Sequence, residues 1–161
     1  MTALPRTAPL LSLHPGDWYF GADYQRLHTV LGSCVALLVW HPQHKIGGMC
    51  HYLLPKPANN KVLLAQDCRY ASNALPRLGQ AMLAVGGYEQ FQISLFGGGD
   101  MFAFSTPTSI GFENLAYARQ WIGRQKIQLH RLDLGGTISR SVSLWLDSGE
   151  IELKRYSMNE S

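Results

Sequence analysis

The chain has 161 residues, 46% of them hydrophobic and 16% charged, and a formal net charge of +3. That length and composition fit one globular domain with a self-sufficient core and exclude a disordered chain. The positive balance is too mild to argue for nucleic acid, and no apolar run approaches the roughly 20 residues that cross a bilayer.

Residues 1–16 contain Leu10, Leu11 and Leu13 but are broken by Pro5, Pro9 and Pro15. Without a continuous apolar stretch they read as a flexible arm, not a secretory leader, and the cytoplasm is the expected compartment. Extended segments follow at about 17–20 and 27–31, and Gly32-Ser33 then permits a sharp change of direction. Residues 34–40 form an aliphatic run that reads as a buried strand. His41-Pro42-Gln43-His44 is a turn, and 46–54 returns as the next strand, closed by Pro55.

Between about 67 and 85 the apolar positions Tyr70, Ala74, Leu75, Leu78, Met82 and Val85 recur at helical spacing. Pro76 lies inside that pattern and is expected to kink or split the helix. Residues 91–96 read as a strand before Gly97-Gly98-Gly99. A second helix is predicted over 110–125 with Phe112, Leu115, Trp121 and Ile122 inward. Strands at 127–132, 141–146 and 151–156 complete the chain, the last two as a hairpin across Asp147-Ser148-Gly149. A single domain over 17–156 with a short tail at 157–161 is expected, built as mixed or stacked sheets with helices on one side.

Cys34, Cys50 and Cys68 make an odd count without Cys-x-x-Cys spacing, so neither a disulfide framework nor a zinc knuckle is indicated. Cys34 follows Leu31-Gly32-Ser33 and precedes His51 by seventeen residues, a spacing that suits adjacent strands joined by a turn. A thiol with pKa of about 8.5 is a weak nucleophile at neutral pH unless a base assists it, and a nearby imidazole supplies one. Period-two alternation puts Cys50 and His51 on opposite faces, which argues against zinc held by Cys34, Cys50 and His51 together. The alternative is a small buried Cys34 and a hydrogen-bonded core His51. The Gly97-Gly98-Gly99 run lacks the Lys-Ser/Thr of a P-loop and the spacing of a dinucleotide fingerprint. It reads as a close backbone approach or a tight turn.

Six segments, taken in order, resemble the chemoreceptor glutamine deamidases of the CheD family. They are Leu31-Gly32-Ser33-Cys34-Val35-Ala36, the run from Gly47 to Pro55, Arg69-Tyr70-Ala71, the run from Phe96 to Phe102, Ile110-Gly111 with Asn114, and Asp133-Leu134-Gly135-Gly136-Thr137 with Arg140. The resemblance implies an α+β three-layer sandwich with mixed β-sheets and two main helices packed on one side, related to the cytotoxic necrotizing factor deamidases. It implies Cys34 as nucleophile and His51 as base, hydrolysing receptor glutamine side chains to glutamate and ammonia through a thioester, with no metal or organic cofactor. The family also places a threonine shortly before the cysteine to orient the histidine. Here Thr29 stands five residues back and His28 six, so either is a candidate; in a regular strand the two occupy opposite faces. Ser72 and Glu113 depart from the aspartate and arginine usual near those positions.

The implied partners are the cytoplasmic helices of methyl-accepting chemoreceptors and, in some members, a CheC-type phosphatase, with no nucleic acid and no membrane insertion. A rival reading keeps the fold as a weakly active or inactive module that docks to those partners. A catalytic Cys34 is expected to alkylate faster than Cys50 and Cys68, with a midpoint below about pH 8.5.

Overall fold

The computed structural model describes residues 8–58, 66–101 and 109–157. Its strands, in chain order, are β1 (Ala8–Ser12), β2 (Trp18–Gly21), β3 (Tyr24–Leu31), β4 (Val35–His41), β5 (Ile46–Tyr52), β6 (Gln92–Gly97), β7 (Arg131–Leu134), β8 (Ile138–Trp145) and β9 (Ile151–Ser157). The helices are α1 (Ala71–Leu83) and α2 (Ile110–Arg124).

The strands form two mixed sheets. One has the order β1-β3-β8-β9 and the other β2-β5-β4-β6-β7. Pairing is parallel at β1–β3 and β6–β7 and antiparallel elsewhere. The central strand β4 is buried along its whole length, which explains its uninterrupted apolar sequence. Val35, Leu37 and Val39 enter one core with Leu75, Leu78, Leu115 and Trp121 from the helices. Ala36, Leu38 and Trp40 enter a second core with Leu27, Leu31, Val142 and Leu144 from the other sheet. The layers are therefore helices, five-stranded sheet and four-stranded sheet, and the α+β class with both helices on one side matches the sequence reading.

Four expectations need correction. The stretch read as a flexible arm supplies β1 and the buried Leu13; residues 1–7 and 158–161 lie outside the described residues. Pro9 is tolerated because β1 is an edge strand, where a missing N–H costs no ladder bond. Helix α1 runs through Pro76 without division, because Ala74, Leu75 and Leu78 around it are fully buried and packing outweighs the lost hydrogen bond. Phe112 is 60% exposed, whereas Leu115, Trp121 and Ile122 do face the core. The strand expected at 127–132 is the shorter β7, entered by way of a His130 amide that donates to the Ile93 carbonyl at 2.7 Å.

Candidate active site

Cys34 stands one residue before β4, on the turn that carries the chain from one sheet to the other. The turn is tied down carbonyl by carbonyl. The Gly99 amide donates to Gly32 O at 3.0 Å and the Gly98 amide to Cys34 O at 2.9 Å. Asn114 Nδ2 donates to Ser33 O at 3.0 Å. Gly97 has φ of +114°, and a Cβ there would meet Cys34 O at 2.2 Å, so only glycine fits that approach. The glycine run is thus a cradle for the Cys34 turn.

His51 pairs across the sheet with Ala36, and Cys34 is the diagonal neighbour on the same face. Cys34 packs half-buried against the inter-sheet core, while Cys50 lies in the helix-side core, on the opposite face. A three-ligand cluster of Cys34, Cys50 and His51 is therefore incompatible with the strand geometry.

Thr29 lies on the inward face of β3 and is buried, as are Leu27 and Leu31 on the same face. Its hydroxyl is 2.8 Å from Leu13 O and 2.7 Å from His51 Nδ1. A hydroxyl has a single proton. Donation to the Leu13 carbonyl leaves only a lone pair for the ring, so His51 Nδ1–H is the donor and Nε2 carries the free electron pair. Nε2 is buried with no partner among the described residues. His28 points to the other face of β3, where its Nδ1 lies 2.9 Å from Ser143 Oγ. Thr29 and His28 thus occupy opposite faces of β3, and the Gly32-Ser33 turn moves the chain between layers, so that Thr29 and Cys34 belong to facing sheets, not to one strand.

Burial lowers the His51 pKa to about 4, opposed by Asp17 and reinforced by His14. Burial also pushes the Cys34 thiol above its ordinary value. A thiol that ionises early, expected from the sequence, is not what this environment favours. At neutral pH thiol and imidazole rest uncharged, and the proton moves when sulfur attacks.

The His51 shift has a consequence for stability. The unfolded chain binds a proton near pH 6.5 and the folded one only near about 4, so stability is present above 6.5 and falls as pH drops through that window. The loss amounts to roughly 3 kcal/mol at most. Denaturant unfolding of wild type and His51→Gln at pH 7.5, 5.5 and 4.5 should show a steeper acid decline in the wild type. Parallel curves would contradict the assignment.

Asn114 and Arg140 were placed by the sequence reading only within motif segments. Asn114 is fully buried in α2 and also donates from Nδ2 to Leu53 O at 3.0 Å. A poor helix former on the buried face of a helix, in step with Leu115, Ala118 and Trp121, is the signal that could have singled it out. Arg140 is 1% exposed and bonds Asp133 Oδ1 at 2.8 Å, Gly135 O at 2.8 Å and Gly97 O at 3.4 Å. It anchors the glycine cradle from below with its charge matched by a carboxylate.

A half-buried cysteine sharing a face with a tautomer-locked histidine, set between two sheets, defines a candidate cysteine hydrolase site in an α+β sandwich. Residues 53–155 match the model of the family described as CheD chemotactic sensory transduction. Curated relatives extend over the preceding part. A "probable chemoreceptor glutamine deamidase CheD 1" of Chromobacterium violaceum is 37% identical over 149 residues, 89% of this chain and 76% of the relative. A "probable chemoreceptor glutamine deamidase CheD 3" of Dechloromonas aromatica is 36% identical, covering 95% of this chain and 91% of the relative. A "probable chemoreceptor glutamine deamidase CheD" of Pseudomonas syringae pv. tomato is 38% identical over 88% of this chain and 86% of its own length. The chain belongs to the CheD family.

Proposed function

We propose that this protein hydrolyses glutamine side-chain amides of chemoreceptors to glutamate and ammonia, with Cys34 as nucleophile, His51 as general base and acid, and Thr29 as the group that orients His51. The observation that carries the reading is the hydrogen-bond chain from His51 Nδ1 through Thr29 to Leu13 O, which leaves Nε2 with its free electron pair and without another partner among the described residues.

In the first half-reaction the Cys34 sulfur attacks the glutamine carbonyl carbon while its proton passes to His51 Nε2. The resulting oxyanion is held by backbone N–H groups of the Ser33-Cys34 turn; a donor of this kind is worth about 10²–10³ in rate. Imidazolium then gives its proton to the departing nitrogen, and ammonia leaves a thioester. In the second half-reaction His51 Nε2 takes a proton from water, hydroxyl adds to the thioester carbon, and collapse returns the proton to sulfur with release of the glutamate side chain. General acid–base assistance contributes about 10²–10⁴-fold.

A protein substrate suits the surroundings. Helix α2 turns Asn114 toward the Cys34 turn and leaves Ile110 and Phe112 exposed nearby. With Pro55, Pro57 and Tyr117, Phe112 lines a groove of about 600 Å³. Such an apolar rim fits receptor signalling helices and equally a CheC-type phosphatase, the second partner implied by family resemblance. Among the described residues no helix is long and apolar enough to cross a membrane. A cytoplasmic setting follows from the proposed substrate. The three-layer arrangement is also what the relation to the cytotoxic necrotizing factor deamidases would require.

Incubation with cytoplasmic receptor fragments, followed by peptide mass mapping, tests the reading. Particular glutamines should gain the mass that accompanies replacement of NH2 by OH. Receptor fragments left unchanged, alongside tight binding, would favour the docking-module alternative. The profile of kcat/KM should stay level down through pH 6, with its acid limb near about 4 where His51 protonates. An acid limb at the ordinary histidine value would remove His51 from the base role.

A further inference from the structure

We propose that Asn114 is a positioning residue that aims the Cys34 amide N–H at the developing oxyanion, an inference that rests on the deamidase reading above. A trans peptide places each carbonyl oxygen opposite the N–H of the following residue, and among the described residues there is no cis bond. The direction of the Cys34 N–H is therefore set by whatever holds the Ser33 carbonyl. That holder is Asn114 Nδ2, at 3.0 Å. The neighbouring carbonyls, Gly32 O and Cys34 O, are held by the backbone amides of Gly99 and Gly98. Asn114 is thus the side chain through which the orientation of this peptide plane can be altered.

The second Nδ2 hydrogen goes to Leu53 O, two residues beyond His51. One amide group consequently ties the nucleophile turn to the end of the strand that carries the base. The residue is itself held in place, since Tyr52 Oη donates to its backbone carbonyl at 2.6 Å. Its Oδ1 is buried and has no partner among the described residues. Orienting the amide so that both donors reach carbonyls leaves that oxygen bare, a cost that any simpler apolar filler would avoid. Aspartate has the same shape but no donor, and glutamine would overshoot by a methylene.

The discriminating experiment compares two reactions of the same sulfur. Amide hydrolysis passes through an oxyanion, whereas alkylation by iodoacetamide displaces iodide and develops none. In full-length Asn114→Ala and Asn114→Leu proteins, kcat on receptor fragments should fall about 10²-fold with KM unchanged. The alkylation rate of Cys34 should stay at the wild-type value in both. Equal losses in the two reactions would make Asn114 a merely structural contact and overturn the proposal. So would undiminished deamidation, or failure of both variants to reach a folded state by circular dichroism. If the wild type itself alkylates at Cys34 yet leaves every receptor glutamine intact, the deamidase reading fails and takes this inference with it. Active wild type with equally active Asn114 variants sinks the inference alone.

Discussion

Cys34→Ala is expected to lower deamidation about 10⁴–10⁶-fold, to the background of the uncatalysed amide, because the thioester route needs the sulfur and no substitute lies on that face. Cys50 cannot stand in. It faces the helix-side core, is fully buried, and burial pushes its thiol up to about 12. His51→Gln should fall nearly as far, since nucleophile and base act as a unit and their losses are not additive. The double variant should be no worse than Cys34→Ala by itself. The change costs little in stability, because Cys34 is only half-buried. Mass mapping of receptor fragments provides the measurement. Residual activity within tenfold of wild type would exclude Cys34 as nucleophile.

Thr29→Val is the second large effect. Valine preserves the shape of threonine and removes its oxygen, so His51 Nδ1 loses its acceptor and Leu13 O its donor. Without that acceptor the ring is free to carry its proton on Nε2, the nitrogen that must be basic. By comparison with groups that orient histidine ligands at metal sites, kcat should drop about 10–10²-fold. Leaving a buried carbonyl unpaired adds roughly 1–3 kcal/mol of destabilisation. Thr29→Ser retains the hydroxyl and should restore most of the rate, whereas a purely steric role for Thr29 predicts the reverse order, valine above serine. His28→Ala, whose partner is Ser143 on the outer face, should leave kcat unchanged.

Local pattern carried the central part of the molecule. Residues 35–41 are apolar at every position because both faces of β4 are covered, and such a run announces a buried strand before any partner is known. The alternation of β5 separates Cys50 from His51 without reference to the rest of the chain. Helix α2 shows its inward residues by period, apart from Phe112, which sits in the exposed first turn. By contrast β1 is held by a parallel pairing with β3, and its three nearby prolines point toward an irregular arm. No local signal distinguishes an edge strand of that kind from a loop. Pro76 does not divide α1, since the tertiary packing there overrides a strong local breaker.

Periodicity determined the sheet-and-helix class and parted Cys50 from His51, and motif order, through the family resemblance, determined the nucleophile and base candidates, because these depend on residues close in sequence. That Thr29 rather than His28 lies within hydrogen-bonding distance of His51 is visible only in the tertiary structure, as is the bond from Asn114 to the Ser33 carbonyl. Both depend on the chain crossing from one sheet to the other at Gly32-Ser33, which brings β3, the turn and α2 around a single ring and a single sulfur. Which side chain completes a hydrogen bond there is a matter of distance between segments remote in sequence, and the one-dimensional pattern does not encode that distance.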